Sequence, residues 1–325
     1  MRKALIAGIT GQDGSYLADL LLEKGYVVHG IVRRSSSFNR WRIEHLIKNP
    51  SIYGTKLFLH YADLNDDHSL RKIFSQTNPH EFYHLAGQSH VGLSFEIPEI
   101  TTQEIAISTL KLLEICRDQK LPPKIYLACS SEIFGNASDL AQNEDSPVNP
   151  TSPYGVAKAF SLHTGRVYRE SYDLFVCCGI LYNHESPRRG ENFVTQKIVR
   201  EAASIARGQS KVLELGNLEI ERDWGYAPDY VLGMWLMLQQ ETPSDYILAT
   251  GVTNSLSDML EIAFQQFGLD PQKHVRTNEK FIRPNEPQKL CGDSTKARKI
   301  LNWEPKWSLT EIIREMCDEA ARILK

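Results

Sequence analysis

The side chains whose types and spacing bear chemistry are Tyr154 and Lys158, in Tyr154-Gly-Val-Ala-Lys158, and the upstream run Ser130-Ser131-Glu132. On a helix, residues four apart share one face. A Lys ammonium placed there stabilises a tyrosinate and draws a phenol with an ordinary pKa of about 10 toward neutrality. Such a Tyr serves as general acid or base for an alcohol/ketone pair. Glu132 adds a carboxylate that plain hydride transfer does not need. Together they suggest oxidation of a hydroxyl followed by proton abstraction next to the new carbonyl. Tyr-x3-Lys alone is a common surface pair, so its weight here comes from the elements around it.

Those elements begin at the N-terminus. Lys3-Ala-Leu-Ile-Ala7 reads as a buried parallel strand. It runs into Gly8-Ile-Thr10-Gly11-Gln12-Asp13-Gly14, then a helical stretch from Ser15 to Lys24 that Gly25 closes. Strand, glycine turn and helix form the context of a dinucleotide fingerprint, here spaced G-x-x-G-x-x-G. The glycines admit backbone N–H groups to a pyrophosphate, and the helix N-terminus adds partial positive charge. A second strand, Tyr26 to Val32, is followed by Arg33-Arg34-Ser35-Ser36-Ser37 instead of the acidic residue that holds an NAD ribose. Two guanidiniums and three hydroxyls suit a 2′-phosphate, so the cofactor reads as NADP.

Further apolar runs, Lys56–Tyr61, Glu81–Ala86 and Lys124–Cys129, alternate with helical stretches near 66–76 and 100–119. This order gives a parallel, doubly wound sheet. Ligands bind outside the carboxyl ends of such strands. Asp63, Leu64, Leu85, Ala86, Gln88 and Ser89 lie at those ends and read as cofactor-side residues, as do Ser130, Ser131 and Glu132 for the chemistry.

The 325 residues carry 42% hydrophobic and 24% charged side chains and a net charge of -3, ordinary for a soluble protein and no invitation to nucleic acid or an anionic membrane. Six Cys, none in C-x-x-C, read as reduced core residues of a cytoplasmic protein. Neither a signal peptide nor a membrane span is visible, and the scattered histidines make no metal pair. His29 and His84 fall in strand-like runs, and Met234, Trp235, Met237 and Leu238 have the spacing of a core helix. Leu174–Leu181 reads as one more strand. Asn183-His-Glu-Ser-Pro-Arg-Arg-Gly-Glu191 is polar and turn-rich and reads as a loop, with a helix at about 193–207 after it. Arg222 and Arg283, in turn-rich segments, suit a substrate with phosphates.

Several motifs together resemble the extended short-chain dehydrogenase/reductase superfamily, and within it the GDP-mannose 4,6-dehydratases. They are Thr10-Gly-Gln-Asp-Gly-Ser-Tyr16, Val28-His-Gly-Ile-Val-Arg-Arg-Ser-Ser-Ser-Phe-Asn39, Gln88-Ser-His-Val91, Ser152-Pro-Tyr-Gly-Val-Ala-Lys158, Asn183-His-Glu-Ser-Pro-Arg-Arg-Gly190, Arg222-Asp-Trp-Gly225 and Ala249-Thr-Gly-Val252. The resemblance implies a Rossmann-type α/β fold with a smaller, discontinuous C-terminal substrate-binding domain. In this chain, residues 1–182, with segments near 212–252 returning to them, would bind NADP, and 183–325 would mainly bind the nucleotide sugar. It also implies dehydration of GDP-mannose to a 4-keto-6-deoxy sugar, a lyase reaction. Tyr154 takes the C4 hydroxyl proton as hydride passes to NADP; Glu132 takes the C5 proton and water leaves from C6; the hydride returns to C6. Lys158 orients the ribose, Ser130 bonds the C4 oxygen, and Ser131 assists. Asn183, Lys197, Arg222, Arg283 and Glu286 (with Ser89) are the implied nucleotide-sugar contacts, and His184 and Arg189 the implied cofactor-side residues. The loop from Arg33 to Arg42 would build a homodimer or homotetramer.

Two departures from the family pattern stand out. Ser130 replaces the usual Thr, and Pro287-Gln288 replaces Val-Asp after Arg283-Pro-Asn-Glu286. The second keeps a related substrate open, such as a GDP-heptose. A nucleotide-sugar 4-reductase or epimerase would share the glycines, Tyr154 and Lys158, but would not need Glu132. A non-catalytic NADP-binding protein would not need to retain all three polar groups.

Overall fold

Apolar runs that alternate with helices become one sheet. A computed structural model describes residues 1–34, 39–136 and 141–323. Ser35 lies outside the described residues, as does part of the Arg33–Arg42 loop. The strands are β1 (Lys3–Ala7), β2 (Val27–Val32), β3 (Leu57–Tyr61), β4 (Glu81–His84), β5 (Lys124–Ser130), β6 (Val176–Leu181), β7 (Asn183–Glu185), β8 (Leu213–Leu215), β9 (Glu221–Tyr226), β10 (Asp245–Leu248), β11 (Thr253–Ser255), β12 (Val275–Thr277) and β13 (Lys289–Leu290). Among the described residues seven of them form a sheet in the order β10-β6-β5-β4-β1-β2-β3, every neighbouring pair parallel. The chain winds outward from β1 to β3, then restarts at β4 on the other side of β1. This is the doubly wound arrangement expected, and its switch point lies between β1 and β4.

Parallel strands are covered on both faces, so their residues feed two cores. Leu5 and Ala7 of β1 join one with Phe74, Phe82, Leu112 and Leu127. Ala4 and Ile6 join the other with Leu17, Tyr83, Met234, Met237 and Leu238. The covering helices are α1 (Gln12–Glu23), α2 (Asp67–Thr77), α3 (Ser108–Arg117), α4 (Pro153–Tyr172) and α6 (Ala227–Gln239). A third core gathers around α5 (Val194–Ala206), α7 (Leu256–Gln266) and α8 (Leu309–Ile323). There β7, β11 and β13 all pair with β9, and β12 pairs with β8.

One buried carboxylate ties these parts together. Asp223, on β9, accepts hydrogen bonds from Thr250 N (2.8 Å), Thr250 Oγ1 (2.7 Å), Gly251 N (2.8 Å) and Gly292 N (3.3 Å). Burial pushes its carboxyl up, and the four donors pull it part of the way back.

The segment 183–191 departs from the loop expected of it. Asn183–Glu185 is a strand beside β9, and His184, Glu185 and Ser186 are buried. Polarity did not mean exposure here, because each buried group finds a partner of matching chemistry. Arg222 likewise sits inside β9 rather than in a turn. All six cysteines are free thiols, and no helix among the described residues is long and apolar enough to cross a membrane.

Candidate active site

The site begins where β1 ends. Gly8 has φ +92, a conformation open to glycine, and its carbonyl accepts from Gly11 N at 3.0 Å. Helix α1 then starts at Gln12, three residues earlier than the periodicity indicates. Gly11 is its extended N-cap and supplies no side-chain hydrogen bond. The first-turn N–H groups have no partner within the helix and face the cleft end. A Cβ on Gly14 would stand 2.2 Å from Gly8 O. The turn therefore packs backbone against backbone and leaves room for a ligand that approaches main chain.

Around this turn lies a cleft of about 1370 Å³ at the carboxyl ends of the strands. It brings together Gly8, Thr10, Gly11, Gln12, Asp13, Gly14, Arg33, Asp63, Leu64, Leu85, Ala86, Gln88 and Ser89 on one side. Ser130, Ser131, Glu132, Tyr154 and Lys158 occupy the middle, and Asn183, His184, Arg189, Lys197, Arg222, Arg283 and Glu286 the rest. Arg34 is exposed and is not among the lining residues. Arg33 pairs with Glu104 at 3.1 Å. Gln88 spends its amide on the His90 carbonyl (2.9 Å) and Thr101 Oγ1 (3.3 Å), which holds the turn after β4.

Tyr154 and Lys158 are on the first turns of α4, which Ser152 caps by accepting from Gly155 N at 3.0 Å. Burial holds the Tyr154 phenol well above its ordinary range, while a hydrogen bond with Ser130 and the charge of Arg189 pull the other way. The expected shift toward neutrality does not hold in this structure. Lys158 Nζ donates to Ala128 O at 2.6 Å and stands 5.8 Å from the centre of the Tyr154 ring. Burial also lowers the Lys158 ammonium below its usual value. Ser130 Oγ, at the end of β5, accepts from Glu132 N at 3.3 Å. The serine hydroxyl thereby caps the short turn that follows β5.

Glu132 is buried, and Arg283 Nη1 lies 4.0 Å from its Oε1. Arg283 also pairs with Glu286, which sits 3.5 Å from Arg222 Nη2. Arg222 is held by the carbonyls of Glu221 (2.9 Å) and Gln288 (3.4 Å), and its Nη2 makes no hydrogen bond among the described residues. At the second departure Pro287 is buried and Gln288 contributes only its carbonyl, which also accepts from Glu221 N at 2.8 Å. Any residue supplies that carbonyl. Lys197 reaches Glu214 O (2.7 Å) across the Phe281 ring.

His184 faces two acceptors. Its Nδ1 lies 2.7 Å from Tyr182 O, and its Nε2 lies 3.0 Å from Asp13 Oδ2. Both bonds form only if both nitrogens carry protons, so the geometry describes an imidazolium beside a carboxylate. Burial opposes the charge on each partner, yet their mutual attraction wins: His184 is raised and Asp13 lowered from ordinary values. Gln12 joins α1 to β7 through the His184 carbonyl (3.1 Å), and Ser186 Oγ donates to Gln12 Oε1 (2.8 Å). Glu185, Ser186 and Asp223 were not singled out from the sequence. The dense charge of 183–191 was the available signal, but the segment read as a polar, turn-rich loop.

The sequence model of the family described as GDP-mannose 4,6 dehydratase matches residues 5–316. The chain belongs to this family. A GDP-mannose 4,6-dehydratase of Sinorhizobium fredii (strain HH103) is 46% identical, over 99% of this chain and 97% of the relative. The human GDP-mannose 4,6 dehydratase is also 46% identical, over 99% and 92%. Among solved structures, DesIV, a dTDP-glucose 4,6-dehydratase from Streptomyces venezuelae, superposes with a TM-score of 0.88 at 21% identity, covering 98% of this chain and 97% of that one. UDP-glucose 4-epimerase from Thermotoga maritima gives 0.86 at 24%, over 99% and 100%. These last two establish the fold. Membership of the GDP-mannose 4,6-dehydratase family makes the chain an enzyme.

Proposed function

We propose that this chain dehydrates GDP-mannose to GDP-4-keto-6-deoxy-mannose with NADP as a retained cofactor. The observation that carries the reading is Glu132. A carboxylate lines the same cleft as Tyr154 and Lys158, between the glycine turn and two arginines. The residues of the glycine turn line the cleft and fit a dinucleotide, since a Cβ at Gly8 or Gly14 would meet main chain within 3 Å and break the tight turn that presents the head of α1 to the cleft. Arg33 and Arg34, with no acid at the end of β2, favour a 2′-phosphate. When bound, NADP would be held by the glycine turn and Arg33 and would supply reversible hydride transfer to and from the sugar.

The chain's own residues do the proton work. Tyr154 takes the C4 hydroxyl proton, with Ser130 bonded to the same oxygen. Burial holds its phenol up, so Arg189, whose charge pulls the other way, and the Lys158 ammonium 5.8 Å from the ring centre would favour the phenolate during turnover. Glu132 removes the C5 proton, acidic only while C4 is a ketone, and water departs from C6. Arg222 and Arg283 hold the diphosphate, and Asn183, Lys197 and Glu286 complete the contacts. Residues 1–182, with later segments returning to them, serve the cofactor, and 183–325 mainly the nucleotide sugar. Free thiols suit a cytoplasmic setting, and the family resemblance of the Arg33–Arg42 loop suggests a homodimer or homotetramer.

The test incubates purified protein with GDP-mannose and no added cofactor, and follows product mass. Loss of one water with a 4-keto product is expected. Turnover of a GDP-heptose alone moves the substrate and keeps the mechanism. Stoichiometric consumption of added NADPH with a keto-sugar overturns the dehydratase reading in favour of a reductase.

A further inference from the structure

Glu185 is 1% exposed, and the chemistry above does not use it. A buried carboxylate is costly unless paired. Its Oε2 accepts from Thr195 Oγ1 at 2.5 Å and lies 3.1 Å from Arg189 Nε, a charge contact in which that Nε makes no hydrogen bond among the described residues. These partners belong to different elements: Arg189 follows β7 and lines the cleft, whereas Thr195 sits behind the lining in the first turn of α5. Arg189 stands near Asp13, His184 and Tyr154, whose charges it influences, and its guanidinium also rests 3.7 Å from the centre of the Phe193 ring. Thr195 comes two residues before Lys197, which lines the nucleotide-sugar side. Burial raises the Glu185 carboxyl, and Arg189 and Thr195 oppose that rise.

We infer that Glu185 is a positioning residue that fixes Arg189 and the head of α5 through one shared oxygen, so that the cofactor and nucleotide-sugar sides of the cleft keep a common register. The inference rests on the proposed function for the identity of both ligands. Because the two contacts share Oε2, movement of the α5 head changes the seat of Arg189. A carboxamide at this position keeps the volume and still accepts from Thr195, but it loses the ion pair.

The experiment measures binding of NADP+ and of GDP, separately, by calorimetry on the nucleotide-stripped full-length chain, for wild type, Glu185→Gln, Glu185→Asp, Arg189→Gln and the Glu185→Gln/Arg189→Gln pair. Glu185→Gln is expected to weaken NADP+ about tenfold and GDP by a smaller factor, as coupling between contacting residues allows. The double variant is expected to bind NADP+ no more weakly than Arg189→Gln alone, a pattern that general loss of structure would not give. Glu185→Asp should recover part of the loss, and it serves in place of Glu185→Gln should that variant not fold. Fully additive losses, or Glu185 variants within about twofold of wild type for both ligands, overturn the inference alone. A wild type that binds neither ligand overturns the proposed function and the inference together.

Discussion

Asp13→Asn is the perturbation whose outcome follows most directly from the geometry. In the wild type, the His184 imidazolium gives one proton to Tyr182 O and the other to Asp13. With Asn at 13 the counter-charge is gone, and burial, the largest influence on His184, then favours the neutral ring. The bond to Tyr182 survives, and Nε2 can accept from the new amide. A charge-assisted bond worth about 1.5–3 kcal/mol gives way to a neutral one of about 0.5–1.5, a net loss of roughly 1–2 kcal/mol. At roughly 2 °C per kcal/mol for a chain of this size, the thermal midpoint falls by about 2–4 °C.

The pH dependence supplies the sharper check. His184 is raised in the folded state, so its contribution is complete below an unfolded value of 6.5 and fades as pH rises through the higher folded value. Asp13 is lowered, so its contribution is present above 3.8 and fades as pH falls through the lower folded value. The pair therefore stabilises most between these unfolded values. Differential scanning fluorimetry of ligand-free wild type and variant from pH 5 to 9 should show the gap in midpoint widest near pH 5–6 and shrinking toward pH 9. A gap that stays constant across that range would refute the ion-pair assignment.

Glu132→Gln should reduce dehydration by at least about a hundredfold while NADP+ binding stays at the wild-type level, read by product mass and calorimetry; turnover within a few-fold of wild type sinks the assigned role. Tyr154→Phe should slow the first oxidation by a similar factor in a single-turnover assay, and an unchanged rate removes Tyr154 as the base. Gly14→Ala would place a methyl 2.2 Å from Gly8 O, so both NADP+ affinity and thermal midpoint should fall; wild-type affinity in that variant would show that the turn is not the cradle.

How far the sequence reached depended on what a side chain's polarity was taken to mean. Val176–Leu181 and the Ala4–Ala7 part of Lys3–Ala7 were legible because strands buried on both faces read as continuous runs without charge, and Glu81–His84 was legible from its Phe-Tyr centre and the Leu85-Ala86 that follow. The start of α1 was displaced because Gln12, Asp13 and Gly14 look like turn residues, although a glycine cap lets them take helical geometry. Strand β7 was hidden because His184 and Glu185 resemble solvated residues. Their partners, Asp13 and Thr195, lie 171 and 10 positions away, and no local pattern announces them. The Tyr154–Lys158 spacing was visible, but not that Ala128 O takes the ammonium. That depends on where α4 crosses the end of β5.

The distribution of thiols gives the protein an internal clock for its own opening. Cys116, Cys129 and Cys178 are shut within the core on one face of the seven-stranded sheet, Cys177 within the core on the other, Cys317 within the α5–α7–α8 core, and Cys291 is partly accessible. Burial also raises the thiols of Cys116, Cys177 and Cys317, to about 11 for Cys177 and about 12 for Cys317, and a hydrogen bond with Cys129 followed by burial raises Cys178, which leaves little nucleophilic thiolate while the fold is closed. A thiol reagent added to the intact protein meets Cys291 first, and each later modification records an excursion of one core. Peptide mapping of the order of labelling would show whether the three cores breathe together or one at a time, with no cysteine engineered into the chain.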